Sequence, residues 1–242
     1  HAAISMPTAV GSPITRGIVD IREQNEVIAR GCRDFPGVFP IGLALIEERF
    51  GKLGIEEAEK AMSELGLVGI VGHPPIAEWC IPFVEAAAAR EGLVNLHMHN
   101  VLMDEIATMF PHCTFISHAS TWGAEHLAKH DNVFFEVVQY PDGQGSEWDF
   151  AWFADKVGRE RLIFGADLPY YDYRVLQKTI EEAPIDDDLK DRIAHKNLEA
   201  LIQRFKPDWS MPEAPPKTVR VYDPEELWAV NPENPVRLTV FA

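Results

Sequence analysis

The chain has 242 residues, 46% apolar and 25% charged, with 38 acidic side chains against 22 basic ones and a formal net charge of −16. That length suits one α/β barrel or two small domains, with a core that needs no staples. The acidic balance disfavours nucleic acid and anionic membrane as partners, because both select basic surfaces.

In chain order, His1-Ala-Ala-Ile-Ser-Met6 opens without an initiator methionine and already reads as a buried strand, so residues are expected upstream. Further apolar runs follow at 40–45, 67–71, 93–99, 114–118, 133–138 and 162–166. Most are continuous rather than alternating, as in strands buried on both faces of a parallel sheet. Helix-like stretches lie between them at 25–35 (Val27, Ile28 and Cys32 at helical spacing), 55–65, 81–91, 104–110, 124–130, 148–157 and 175–182, with a closing helix at 189–205. Each ends near Gly, Pro or Asn, the expected stop signals. No apolar run reaches transmembrane length and no signal peptide is visible. Cys32, Cys80 and Cys113 are widely spaced and form no CxxC pair, which suits reduced core thiols in a cytoplasmic protein.

Strand–helix alternation predicts a parallel α/β architecture. An open doubly wound sheet is the rival, but neither GxGxxG nor GxxxxGK[ST] follows any strand. Seven runs are one short of the eight strands of a (β/α)8 TIM-type barrel, so the expectation is a barrel over residues 1–205 whose first strand is missing before His1. Residues 206–242 are proline-rich and read as an extended arm on the barrel or on a neighbouring subunit, or as a plain extension.

Ionisable residues gather at the ends of three runs: His97 and His99 in Leu93-Val-Asn-Leu-His-Met-His99, His118 in Thr114-Phe-Ile-Ser-His118, and Asp167 in Leu162-Ile-Phe-Gly-Ala-Asp167. In a barrel that end holds the active site. A polar group buried there is costly unless paired or ligated. Imidazoles with one carboxylate suit a divalent ion such as Zn2+, which acidifies a bound water, while another histidine moves the proton. Only one of His97 and His99 is expected to point inward, and His97 is favoured. Taken singly, His118 fits a satisfied core histidine as well as a site residue, and Asp167 could cap a turn. His73, Trp122 and Tyr170 follow strand ends and are candidate substrate contacts, although aromatics there pack as often as they recognise. His112, His126, His130 and His195 fit surface positions. No serine has a nucleophile-elbow context.

These residues resemble the amidohydrolase-2 family, which includes aminocarboxymuconate-semialdehyde decarboxylase and related lactonases. The likeness rests on Phe35-Pro-Gly-Val-Phe-Pro-Ile-Gly-Leu-Ala44, Glu64-Leu-Gly-Leu-Val-Gly-Ile70, Gly92-Leu-Val-Asn-Leu-His97, Phe115-Ile-Ser-His-Ala119, Leu162-Ile-Phe-Gly-Ala-Asp167 with Pro169, and the late Asn197. The resemblance implies His97 as a metal ligand and Asp167 as a ligand or base beside the metal water. It also implies that His118 handles that water or the substrate, with His99 a more distant contact. The ion would be Zn2+, with Mn2+ as the alternate, and the assembly a homodimer. Two departures stand out. The family's first strand ends in His-x-His, and none precedes His97 here; residues 73–79 and 100–104 are also short for loops over a barrel mouth. The expected reaction is metal-assisted hydrolysis of an ester, lactone or amide in a small carboxylated substrate. Non-oxidative decarboxylation on the same scaffold, and an inactive barrel used for binding or structure, are the alternatives.

Overall fold

The strands of the main sheet carry apolar side chains on both faces, and each face meets a different partner. The computed structural model describes residues 4–5, 17–74, 77–118, 123–138, 149–166, 172–211 and 213. The strands are β1 (Ile4–Ser5), β2 (Ile41–Gly42), β3 (Ala44–Leu45), β4 (Gly69–Gly72), β5 (Leu93–Leu96), β6 (Thr114–His118), β7 (Val133–Val137) and β8 (Leu162–Phe164). β2 and β3 are two pieces of one run broken at Leu43. The first piece pairs with β1 and the second with β4. All pairings are parallel, and β3 to β8 stand in sequential order. A doubly wound sheet reverses its order at a switch point; this one does not, which marks the barrel-type winding.

Helices α1 (Ile18–Asp34), α2 (Lys52–Glu64), α3 (Ala77–Ala88), α4 (Asn100–Met109), α5 (Ala124–Leu127), α6 (Phe150–Val157) and α7 (Tyr173–Glu182) follow the strands in alternation. α8 (Asp187–Asp191) and α9 (Asn197–Phe205) are joined by a π-helical turn, Arg192–Lys196. Aspartates start three of the helices: Asp149, Asp172 and Asp186 accept hydrogen bonds from the Trp152, Arg174 and Leu189 amides at 2.9, 3.0 and 2.9 Å.

Side chains alternate between two cores. Ile70, Val94, Leu96, Phe115, Phe135 and Leu162 point outward and pack with helical residues such as Ala58, Phe83, Met103, Ile106 and Phe153. Ile41, Leu43, Val71, Leu93, Ile116, Phe134 and Ile163 point inward into a second cluster, which Leu201, Ile202 and Trp209 join. The chain divides into two compact units, His1–Met211 and Pro212–Ala242. The second lies outside the described residues except for Glu213.

The first helix keeps Ile28 and Cys32 on its packed side, where both lie against Gly42, and differs from the expected face at Val27. Its buried residues are Ile21, Asn25 and Ala29, whereas Val27 is half exposed. A buried asparagine belongs there because Asn25 pairs with the Leu45 backbone, its Oδ1 accepting from the amide at 2.8 Å and its Nδ2 donating to the carbonyl at 3.4 Å. The end of the sheet is held in the same way: Asn197 Nδ2 donates to the Arg159 and Leu162 carbonyls at 2.8 and 2.7 Å. No helix among the described residues is long and apolar enough to cross a membrane.

Candidate active site

The inward alternation carries past the apolar layer to the C-terminal ends of the strands. There it brings polar side chains to one level. β4 pairs Gly72 with Leu96 of β5, β5 pairs Leu96 with Ser117 of β6, and β6 pairs His118 with Glu136 of β7. His73, His97, His118 and Glu136 therefore stand side by side on four consecutive strand ends.

Their side chains meet. The His73 and His97 ring centroids lie 3.6 Å apart with planes tilted by 48°. The His97 and His118 centroids lie 3.9 Å apart with planes within 20° of parallel. His118 Nδ1 lies 3.1 Å from Glu136 Oε2. Burial, followed by the neighbouring His118 and His73 imidazoles, pushes His97 down to about 2. Burial and then His118 lower His73 to about 4, although part of the His73 side chain faces solvent. Both rings are consequently neutral near pH 7, with a lone pair to offer an ion or a proton.

Strand geometry alone does not separate His97 from His99. Residues two apart share a strand face. The strand ends at Leu96, and His99 becomes the exposed N-cap of α4, its backbone carbonyl accepting from the Leu102 and Met103 amides at 3.0 Å. α4 is then fixed to the next strand by Ser117 Oγ donating to Asn100 Oδ1 at 2.6 Å, both residues buried.

Of the residues expected from sequence, the structure brings His73, His97 and His118 together and sets His99 at the rim. Asp167, Trp122 and Tyr170 lie outside the described residues. Sequence reasoning missed Glu136, although a signal existed: it is the one charged residue inside Val133-Phe-Phe-Glu-Val-Val138. His195 is exposed as expected and pairs with Glu199 at 2.8 Å, but His130, expected at the surface, is largely buried, with its Nε2 2.6 Å from Asp104.

Neutral imidazoles and a carboxylate are the donor types that suit a divalent ion. Among the described residues, however, no three His, Cys, Asp or Glu side chains form a group that could hold one.

The model of the amidohydrolase family matches residues 13–203. No curated protein matches the chain at a significant level. Among solved structures, 5-carboxyvanillate decarboxylase from Sphingomonas paucimobilis is similar with a TM-score of 0.64 at 16% identity, over 84% of this chain and 78% of that one. The same enzyme from Novosphingobium aromaticivorans, complexed with manganese and 4-hydroxy-3-methoxy-5-nitrobenzoic acid, gives 0.65 at 14% identity over 84% and 76%. A dihydroxybenzoic acid decarboxylase from Polaromonas, with bound manganese and 2-nitroresorcinol, gives 0.62 at 16% over 79% and 76%. At such identities the structural likeness bears on fold alone. The family match spans most of the chain, including every strand end that carries a described site histidine, and on that ground the chain belongs to the amidohydrolase family of enzymes.

Proposed function

We propose that the chain is a metal-dependent, non-oxidative decarboxylase of a small hydroxylated aromatic or enoic carboxylate. The observation that carries this reading is the stack His73–His97–His118 with Glu136 on its last ring, at the open end of a fold whose solved examples include aromatic-acid decarboxylases. Decarboxylation needs a proton delivered to the carbon that bears the carboxylate. The C–C electron pair then returns to the ring or enol system as CO2 leaves. His118 is the group placed to carry that proton, and Glu136 stabilises the imidazole when it is charged. The neutral His73 ring, partly exposed beside His97, offers a face against which a planar substrate can stack.

His97 and Asp167 would hold the divalent ion, whose charge, when bound, draws electrons from the substrate's carboxylate and hydroxyl oxygens. Manganese is the first ion to test, since two of the similar decarboxylases carry it, and zinc the second. His99, Trp122 and Tyr170 are assigned to the substrate side of the mouth.

Hydrolysis of an ester, lactone or amide is the second reading, favoured by the family's own description as amidohydrolase. The deciding experiment incubates the full-length gene product, loaded with manganese or with zinc, with hydroxybenzoates such as 2,6-dihydroxybenzoate and 5-carboxyvanillate, and separately with small lactones and esters. CO2 release with the decarboxylated phenol supports the first reading, and ring opening or cleavage without CO2 supports the second. Turnover of neither class by metal-loaded, folded protein would leave the barrel as a binding or structural subunit.

A further inference from the structure

A carboxylate one residue from the end of β7 runs against the rest of that strand: Val133, Phe134, Phe135 and Val137 are all at most 3% exposed. Glu136 itself is 16% exposed at its side chain, and an ionised carboxylate in such a place is retained only when it has a partner. Among the described residues no lysine or arginine lies within salt-bridge distance of it; its partner is His118 Nδ1 at 3.1 Å. A carboxylate can only accept hydrogen bonds, so the proton of a neutral His118 must sit on Nδ1 and the ring lone pair on Nε2.

The opposite neighbour makes room for this contact. On the far side of Glu136, β7 pairs it with Ile163 of β8, and Gly165 follows two residues later on the same face. A Cβ built at Gly165 would come 2.7 Å from Glu136 Oε1 and 2.5 Å from Val138 Cγ1. Both are below the closest approach of real carbon atoms, so any side chain at 165 would displace the carboxylate.

We infer that Glu136 is a positioning residue that holds His118 as its Nδ1–H tautomer, and that position 165 is a glycine in order to leave space for it. What His118 does in turnover rests on the reading above, but its tautomer does not and can be measured alone.

Long-range 1H–15N correlation on the full chain labelled with 15N-histidine reads the tautomer directly at pH 8. The expected result is Nδ1–H for His118 in the natural chain and in Glu136→Gln, whose amide oxygen also accepts a hydrogen bond. In Glu136→Leu and in Gly165→Ala the signal moves toward a mixture of tautomers. Gly165→Ala removes no charge, so its shift reports geometry alone, and it still decides the matter if the leucine variant does not fold. If a substrate is turned over, Glu136→Leu is expected to lower kcat about 10- to 100-fold with KM within about twofold, and Glu136→Gln, which keeps the acceptor but not the charge, to lose less than the leucine variant. An Nε2–H tautomer in the natural chain overturns the inference. So does a tautomer unchanged in both folded Glu136→Leu and Gly165→Ala. A chain that shows the expected tautomers but releases no CO2 keeps this inference and loses only the decarboxylase reading.

Discussion

The rings of His97 and His118 stack almost face to face, 3.9 Å between centroids, across a strand pair that sets Leu96 beside Ser117. Burial, together with the neighbouring His118 and His73 imidazoles, keeps the His97 ring neutral, whereas His118 has the Glu136 carboxylate on its other side. The two residues should therefore fail differently when removed. His118→Asn is expected to lower kcat about 100- to 10,000-fold while the protein stays folded, the usual loss for a positioned proton carrier. His97→Asn is expected to lose bound metal as well as rate. Steady-state kinetics with metal analysis on the same preparations separates them. Equal metal content in both variants would remove His97 as a ligand.

Metal removal gives a second check. Dialysis against a chelator is expected to abolish turnover, and manganese or zinc to restore it. The full-length product should carry about one equivalent of divalent ion, and Asp167→Asn markedly less. A full-length product that holds under about half an equivalent after loading and is still active would rule out metal dependence.

Asn197 tests the fold rather than the chemistry. Its amide satisfies two carbonyls, those of Arg159 and Leu162, where the chain enters β8. Asn197→Ala leaves both without that donor and should cost about 1–3 kcal/mol in urea unfolding. Asn197→Asp also removes the donors and adds a charge beside two carbonyl oxygens, so it should cost at least as much. A change under about 0.5 kcal/mol for the alanine variant would show that water replaces the amide.

Asp104 provides a pH test away from the mouth. Burial works to raise its carboxyl, but hydrogen bonds from His130 at 2.6 Å and Lys129 at 3.1 Å outweigh that and hold it below the usual carboxylate range. A carboxyl lowered by folding contributes stability at pH values above its unfolded value of 3.8 and loses that contribution as pH falls through the folded value. Asp104→Asn should thus be less stable than the natural chain by about 1 kcal/mol at pH 6, and the two should converge toward pH 3. Melting temperatures across that range decide it; a constant gap at every pH would mean that packing, not charge, is at stake.

Much of the fold was legible in the residues because burial on both faces leaves a plain mark. The apolar run at 114–118 coincides with β6, and that at 133–138 covers all of β7 and one residue beyond it. The run at 93–99 overshot, since Leu96 is the last residue with a strand partner and Met98 continues the apolar pattern into the turn. In the first helix Ile28 and Cys32 pack as their spacing suggested, but Val27 does not, and hydrophobic spacing overlooks the buried Asn25, whose partner Leu45 lies twenty residues on.

The amino-acid sequence by itself determined the parallel, sequential sheet, the level at which polar groups begin, and His97 and His118 as candidates, because these follow from local period and chain order. Tertiary structure alone decided that His73 touches His97, that Glu136 meets His118 across an eighteen-residue gap, and that Gly165 clears the space. Those relationships depend on the register between neighbouring strands. Register is a property of how two separate segments align, so it shows only when both are in place.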